Sequence, residues 1–262
     1  MGNTEHVSVL TVDVGNTTTR FGVFSEGSLL GTWEITTPAR LTVDEARLHL
    51  DRAVEMMGIP RPSESIIACV VPSLASAWIA ALELALPSRP LVVGPGLKTG
   101  MRMRYDDPAE IGADRVADAV AARSDHGCPV VVVDLGTTTN IEVVDASGAF
   151  LGGIIAPGTA LGARSLSDAA ERLPIVELEA PERVIGRSTR AAMQSGVVLG
   201  EVARIDGLLD AVMDELGEEA PVVITGEGAA SMARLLSHET LVDDALTLRG
   251  LWKLWLGNRR AR

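Results

Sequence analysis

Aromatic residues, cysteines and clustered metal ligands are all scarce in this 262-residue chain. Only 3% of residues are aromatic while 47% are hydrophobic, so any core must be built from Val, Leu, Ile and Ala. That hydrophobic fraction excludes a disordered chain. The two cysteines, Cys69 and Cys128, adjoin apolar runs and show no metal-ligand spacing. Buried free thiols in a reducing compartment are expected. The four histidines (His6, His49, His126, His238) are scattered and carry no assigned chemistry.

Long apolar spans are missing too. The uncharged stretch from Ile66 to Leu82 is broken by Pro72 and rich in Ala and Ser, so it reads as strand, turn and helix and not as a membrane crossing. No basic segment precedes an apolar one near the start, and His6 stands where a myristoylation signal needs Ser or Thr. A cytoplasmic location is expected. The net charge of −12 argues against nucleic acid and anionic membranes as partners. An anionic small substrate is still allowed, because a local Arg overrides the global field. Neither a lysine-bearing phosphate loop, G-x-x-x-x-G-K-[ST], nor G-x-G-x-x-G occurs, so a nicotinamide or flavin cofactor has no support.

What is present is one pattern written twice. VDVGNTTTRFGVF at 12–24 and VDLGTTTNIEVVD at 133–145 each follow an apolar run, give Asp, an apolar residue and Gly, then small hydroxyl or amide side chains, then a second apolar run. Each predicts a β-hairpin with an aspartate at its mouth. An ordinary tight turn explains one occurrence; recurrence argues for a shared role. Glycine admits phosphate close to the backbone, and turn N–H groups and Thr hydroxyls supply donors. Asp repels phosphate, so its role is to hold a metal ion, or a water on one, that bridges to the phosphates.

Strands are predicted at 7–13, 20–24, 28–36, 66–71 and 91–93, with helices at 42–58 and 73–86. Thr42 with Glu45 makes a capping box, and Gly58 is a natural stop. After a polar stretch come a helix at 113–124, the second hairpin at 130–145, a strand at 149–155 and a helix at 159–172. A helix at about 190–216, a strand at 221–225, and helices at 228–236 and 246–257 complete the chain. A meander followed by α/β units, in both halves, suggests an internal duplication with the active site between two lobes.

Three further motifs carry chemistry. In Glu110-Ile111-Gly112-Ala113-Asp114-Arg115, the Asp either caps the helix that follows or acts as the general base a kinase needs, beside an Arg that binds an anion. GGIIAPG at 152–158 signals close backbone approach. ITGEG at 224–228 ends a strand and starts a helix, a place for adenosine to lie against backbone.

These pieces, with VGPGLKTGMRMRYDDPAEIGADR at 93–115, VIGRSTRAAMQSGVVLG at 184–200 and DDALTLRGLWKLW at 243–255, resemble the type III pantothenate kinases of the acetate and sugar kinase/heat-shock-70/actin superfamily. The resemblance implies an α/β, duplicated actin-like (ribonuclease H-like) two-lobed fold with mixed five-stranded sheets and an interlobe cleft, divided as residues 1–120 and 121–262. It implies ATP-dependent phosphorylation of pantothenate, the first step towards coenzyme A. Asp13, Val14, Gly15 and Asn16, with Thr17, Thr18, Thr19 and Arg20, would form the first ATP phosphate loop, and Thr137 would contact ATP. Asp114 would be the catalytic base. Gly112, Ala113, Asp114 and Arg115, with Tyr105 and Thr189, would face pantothenate. Asp13 would organise Mg²⁺ through water, and Asp134 would bind a monovalent cation, K⁺ or NH₄⁺. A homodimer is implied. Asn140 and Glu142 stand where the family has Thr and Asp, Glu227 interrupts a usual pair of glycines, and Arg20 takes a variable position. Two other readings stand beside this one: a kinase of the same fold acting on another small hydroxyl compound, and a non-catalytic nucleotide-binding regulator.

Overall fold

Short Val- and Ile-rich runs punctuated by Gly, Pro and Asn favour strands joined by tight turns. The computed structural model describes residues 7–170 and 173–259 and forms those strands. The chain divides into two compact units. One takes the described residues up to Ser124 with those from Ala245 onward; the other takes Asp125–Asp244.

The first unit opens on an antiparallel meander, β1 (Ser8–Val14), β2 (Thr18–Ser25) and β3 (Ser28–Thr36), then continues through α1 (Val43–Met57), β4 (Glu64–Cys69), α2 (Pro72–Ala85), β5 (Leu91–Val92) and α3 (Ala113–His126). Its sheet runs β3-β2-β1-β4-β5, with β4 and β5 parallel to β1. Alternation puts Leu10, Val12, Val14, Phe21 and Val23 on one face, buried against α1 and α2 through Leu50, Leu74, Trp78 and Leu82. Thr42 and Glu45 form the reciprocal cap on α1, and Gly58 ends it in the left-handed region.

The second unit repeats the scheme. β6 (Val130–Leu135), β7 (Thr138–Val144) and β8 (Phe150–Pro157) form the meander, followed by α4 (Thr159–Ala169), α5 (Thr189–Gln194), a π-helical segment (Ser195–Leu199), α6 (Gly200–Leu216), β9 (Val222–Gly226), α7 (Ala229–Ala233) and β10 (Thr240–Val242). The order β8-β7-β6-β9-β10 matches the first sheet strand for strand. Val131, Val133, Ile141 and Val143 pack on Ile205, Leu209 and Met213 of α6. The duplication read from the sequence is therefore present in the topology.

The last helix, α8 (Leu246–Asn258), departs from the expected division at 120/121: it groups with the first unit. It lies on β1, β2 and β4. Trp252 stacks on Phe24 at 5.8 Å between ring centroids, and Trp255 Nε1 donates to Glu64 at 3.0 Å. Its apolar side, Leu248, Leu251 and Leu254, is buried. Other differences are local. The helix expected over 190–216 is interrupted by the π segment, β10 was not anticipated, and α7 is shorter than 228–236. Residues 171 and 172, expected in a helix, lie outside the described residues, as does His6. Cys69 is half-buried, but Cys128 is exposed, because it sits in the turn ahead of β6 and not in the strand. No helix among the described residues is long and apolar enough to cross a membrane.

Two glycines of α8 make a controlled comparison. A Cβ on Gly250 would collide with the Ala117 backbone of α3, lying 2.9 Å from its Cα, whereas Gly257 has nothing within 4 Å. Gly250→Ala should destabilise by about 1–3 kcal/mol or more through overpacking. Gly257→Ala should shift stability by less than about 1 kcal/mol. Urea denaturation of both variants checks this.

Candidate active site

Parallel strands gather their C-terminal ends at one edge of a sheet, where ligands of open α/β sheets bind. In the first unit that edge carries the 15–18 turn between β1 and β2. Asn16 and Thr17 are exposed at its tip, and Thr19 is buried. Gly15 N–H donates to Thr18 O at 3.0 Å, Thr37 Oγ1 donates to Gly15 O at 2.7 Å, and Thr37 N–H donates to Thr17 O at 2.8 Å. Asp13 is half-buried at the mouth. Its cross-strand neighbour is Arg20, whose neighbour in turn is Glu34. Arg20 Nε donates to Glu34 at 3.2 Å, so this expected phosphate-loop residue is held by a carboxylate on the next strand.

The second turn is one residue shorter: Leu135 pairs with Thr139, whereas Val14 pairs with Thr19. Gly136 N–H donates to Thr138 O at 3.0 Å, and Gly158 N–H donates to Thr137 O at 3.1 Å. Only glycines fit around it. A Cβ on Gly158 would overlap Gly136 O and stand 2.8 Å from Thr137 O. One on Gly226, where φ is +89°, would overlap Leu135 O and stand 2.7 Å from Asp134 Oδ1. Asp134 shares its rung with Asn140 on one side and Thr225 on the other. Thr225 Oγ1 is buried and has no hydrogen-bond partner among the described residues. Glu142 shares the face of Asn140, as alternation requires, but is fully buried, so it presents nothing to a ligand.

Gly112 and Ala113 open α3, and Asp114 follows in its first turn. The carboxylate folds back: Asp114 Oδ1 accepts from Arg115 N–H at 2.8 Å and occupies the space where a Cβ on Gly112 would point. Burial pushes the Asp114 carboxyl above its ordinary value, against the opposing pull of the Arg115 N–H and the Arg115 charge. Gly112 and Ala113 also line a cavity of about 460 Å³ with Cys69, Gly94, Met103 and Ile111. Burial, with a smaller contribution from the charge of Asp13, pushes the Cys69 thiol up, and its S–H donates to Val71 O at 3.3 Å. Asp13 and the start of α3 thus both stand near Cys69. Arg115 is buried and Tyr105 half-buried.

In the second unit a cavity of about 470 Å³ is lined by Gly136, Thr139, Thr159, Glu227, Gly228 and Ser231 among others. This joins the second turn to the 224–228 segment read as an adenosine rest. Glu227 N–H donates to Leu135 O at 2.7 Å, so its backbone is fixed while its side chain is exposed. Thr189 is exposed at the start of α5, where Ser188 caps the helix through Ala191 N–H at 3.1 Å. The structure therefore brings Asp13 together with the Gly112 region in one unit, and Asp134 together with Thr137 in the other.

Sequence reasoning missed Thr37, which braces the first turn, and Glu201 with Arg204, which bond Thr139 and Pro157 beside the second. Thr37 follows a predicted strand and carries no motif. Glu201 is an acid on an amphipathic helix, which normally reads as solvated.

A family model for type III pantothenate kinase matches residues 9–211. A Campylobacter jejuni protein assigned to the Baf family of transcriptional activators is similar at 21% identity and a TM-score of 0.61, over 95% of this chain and 98% of that one. Ethanolamine utilization protein EutJ from Carboxydothermus hydrogenoformans is similar at 19% identity and 0.57, over 93% and 88%. The inorganic polyphosphate/ATP-glucomannokinase of Arthrobacter sp. strain KM is similar at 14% identity and 0.51, over 96% and 100%. At these identities the structural likeness shows the shared fold.

The raised Asp114 carboxyl has a definite consequence for stability. The folded chain holds that proton more tightly than the unfolded chain, so the associated stability is fully present below the ordinary Asp range. It is lost as pH rises through the raised value. Asp114→Asn removes the titration. Its stability relative to the parent should rise with pH across that window, as read by urea denaturation at a series of pH values; a constant difference would show that the shift is absent.

Proposed function

This chain belongs to the type III pantothenate kinase family, and we propose from that premise that it transfers the γ-phosphoryl group of ATP to the primary hydroxyl of pantothenate. The product is 4′-phosphopantothenate, the entry to coenzyme A. The observation that carries the reading is Asp114: a partly buried carboxylate of raised basicity, turned back over Gly112, which with Ala113 lines a mostly apolar cavity. Phosphoryl transfer asks little covalent chemistry of a protein; it needs positioning, neutralisation and a base within reach of the attacking hydroxyl.

Asp114 accepts the hydroxyl proton. Arg115 meets the pantothenate carboxylate, and Gly112, Ala113, Tyr105 and Thr189 complete the acceptor contacts. The 13–20 segment and Thr137 bind ATP, with turn amides facing the phosphates in place of a lysine. The 470 Å³ cavity of the second unit takes the adenosine.

Among the described residues no group of three or more His, Cys, Asp or Glu gathers to hold a metal. A single carboxylate suits Mg²⁺ that keeps most of its waters and arrives on the triphosphate, so Asp13 would hold it through water. The ion neutralises developing charge on the phosphates. Asp134 would hold the monovalent cation; Thr225 Oγ1 on the same rung, a buried oxygen lacking a hydrogen-bond partner among the described residues, supports an ion there.

A homodimer would cover apolar side chains that the second unit leaves exposed between α4 and α5. Ile175 and Ile185 are each 82% exposed and Val184 73%, unusual for isoleucine and valine in a finished assembly. Ile185→Asp should convert a dimer to a monomer in analytical ultracentrifugation; a parent chain that is monomeric at all concentrations would remove the dimer from this account.

The deciding assay couples ADP formation to pantothenate with and without K⁺. Asp114→Asn should lose about 10²–10⁴ in kcat, while calorimetry still detects pantothenate binding. Turnover close to that of the parent would remove Asp114 from the mechanism. Turnover with another hydroxyl compound and none with pantothenate would replace the substrate.

A further inference from the structure

Glu201 is 4% exposed, in the first turn of α6, and none of the chemistry above uses it. Its Oε1 accepts from Thr139 Oγ1 at 2.6 Å. Thr139, 3% exposed, is the residue of β7 that pairs with Leu135 and so closes the second turn. The other carboxylate oxygen pairs with Arg204, one helical turn on. Arg204 Nη2 also donates to Pro157 O at 2.6 Å. Pro157 precedes Gly158, whose N–H donates to Thr137 O at 3.1 Å. Glu201 therefore reaches the 136–138 turn from two sides, through β7 and through the end of β8.

A buried carboxylate is expensive unless it is paired and hydrogen-bonded, and this one is both. Thr139 lines the 470 Å³ cavity, yet its hydroxyl hydrogen is committed to Glu201 and is not available to a phosphate. Val198 of the π segment, just before α6, lines the same cavity. π segments inside α-helices are frequent at functional sites. Here the segment ends one residue before α6 begins and two before Glu201.

We propose that Glu201 is a positioning residue for the nucleotide: through Thr139 and through Arg204 it holds the 136–138 turn in the geometry that grips the triphosphate, without touching ATP. The proposal rests on the reading that this turn binds ATP. A turn whose amides are fixed before binding has less conformational freedom to lose when phosphate arrives.

The test measures binding of a non-hydrolysable ATP analogue with Mg²⁺ by calorimetry on the full-length protein, alongside steady-state kinetics. Glu201→Ala should raise the analogue Kd by about tenfold, as expected for loss of a charge-assisted buried hydrogen bond, and leave KM for pantothenate unchanged. Glu201→Gln keeps an acceptor for Thr139 but loses the Arg204 pair, and should fall between. Adding Thr139→Val to Glu201→Ala should worsen nothing further, because the two act through one bond. If Glu201→Ala does not fold, Arg204→Lys decides: the Arg204 side chain is 33% exposed, the ammonium keeps a positive charge beside Glu201, and loss of the guanidinium fork that also reaches Pro157 O should still raise the Kd.

A lowered Tm with unchanged Kd, equal shifts in both KM values, or additive effects of the two substitutions would overturn the proposal. A parent protein that binds the analogue while the variants bind it equally well overturns this inference alone. A parent protein that binds no nucleotide overturns the reading beneath it as well.

Discussion

Space that only glycine leaves governs the turn at the end of β6. Gly158 and Gly226 approach the carbonyls of 135–137 so closely that any side chain would force the backbone apart. The same lock recurs in both units, built from different residues. In each, the residue just after the third strand donates its N–H to a carbonyl of the turn: Thr37 to Thr17, Gly158 to Thr137. In each, the turn glycine donates back across the turn: Gly15 to Thr18, Gly136 to Thr138. Under the proposed function an acidic chain with no phosphate-loop lysine would rely on oriented amides, and amides serve only if they are fixed. The third strand of each meander is thus more than an edge, since its exit braces the turn.

The two locks differ in charge. Across the first sheet the rung reads Ala68, Asp13, Arg20, Glu34, and its ion pair is accessible to solvent, where such a pair contributes little to stability. Across the second it reads Thr225, Asp134, Asn140, Ile155, with Thr225 and Asn140 buried. The first aspartate stands beside a partly exposed cation that is already engaged; the second stands in a drier, nearly neutral frame. A carboxylate in the drier frame interacts more strongly with any ion it meets. The departures from the family pattern sort accordingly. Arg20 is tied to Glu34 and Glu142 is sealed in the sheet, while Glu227 alone presents its side chain at a cavity.

Much of the fold was legible because period-two alternation and glycine punctuation mark strands directly. The meanders, the Thr42 and Glu45 cap and the Gly58 stop were each readable from residues a few positions apart. The assignment of α8 was not. Its sequence shows an apolar side but not which sheet receives it, and here Phe24 and Glu64, roughly 190 or more residues away, decide. The π segment was hidden because the adjacent apolar residues Val197, Val198 and Leu199 let a regular helical spacing be read straight through it, although the buried side chains step from Met193 to Val198. Within the site, Asp13, Asp134 and Asp114 stood out through motifs. Glu201 did not, since an acid on an amphipathic helix looks solvated until the hydroxyl that faces it is known. Cys128 shows the reverse error: an apolar neighbourhood in sequence became an exposed turn in space.

The environment of Asp114 follows from a balance and not from burial alone. A carboxylate buried without donors is pushed further towards its neutral form. A base fully exposed would be ionised but weak. Burial raises Asp114, and the Arg115 N–H and guanidinium hold that rise in check. The opposing groups come from the next residue and from the backbone of Asp114 itself, so the chain places them wherever it places this carboxylate. Gly112 makes the arrangement possible, because the carboxylate lies over the position a Cβ would take. The Gly-Ala-Asp-Arg run is therefore a single device: the glycine provides room, the helix start sets the direction, and the arginine opposes the rise that burial causes.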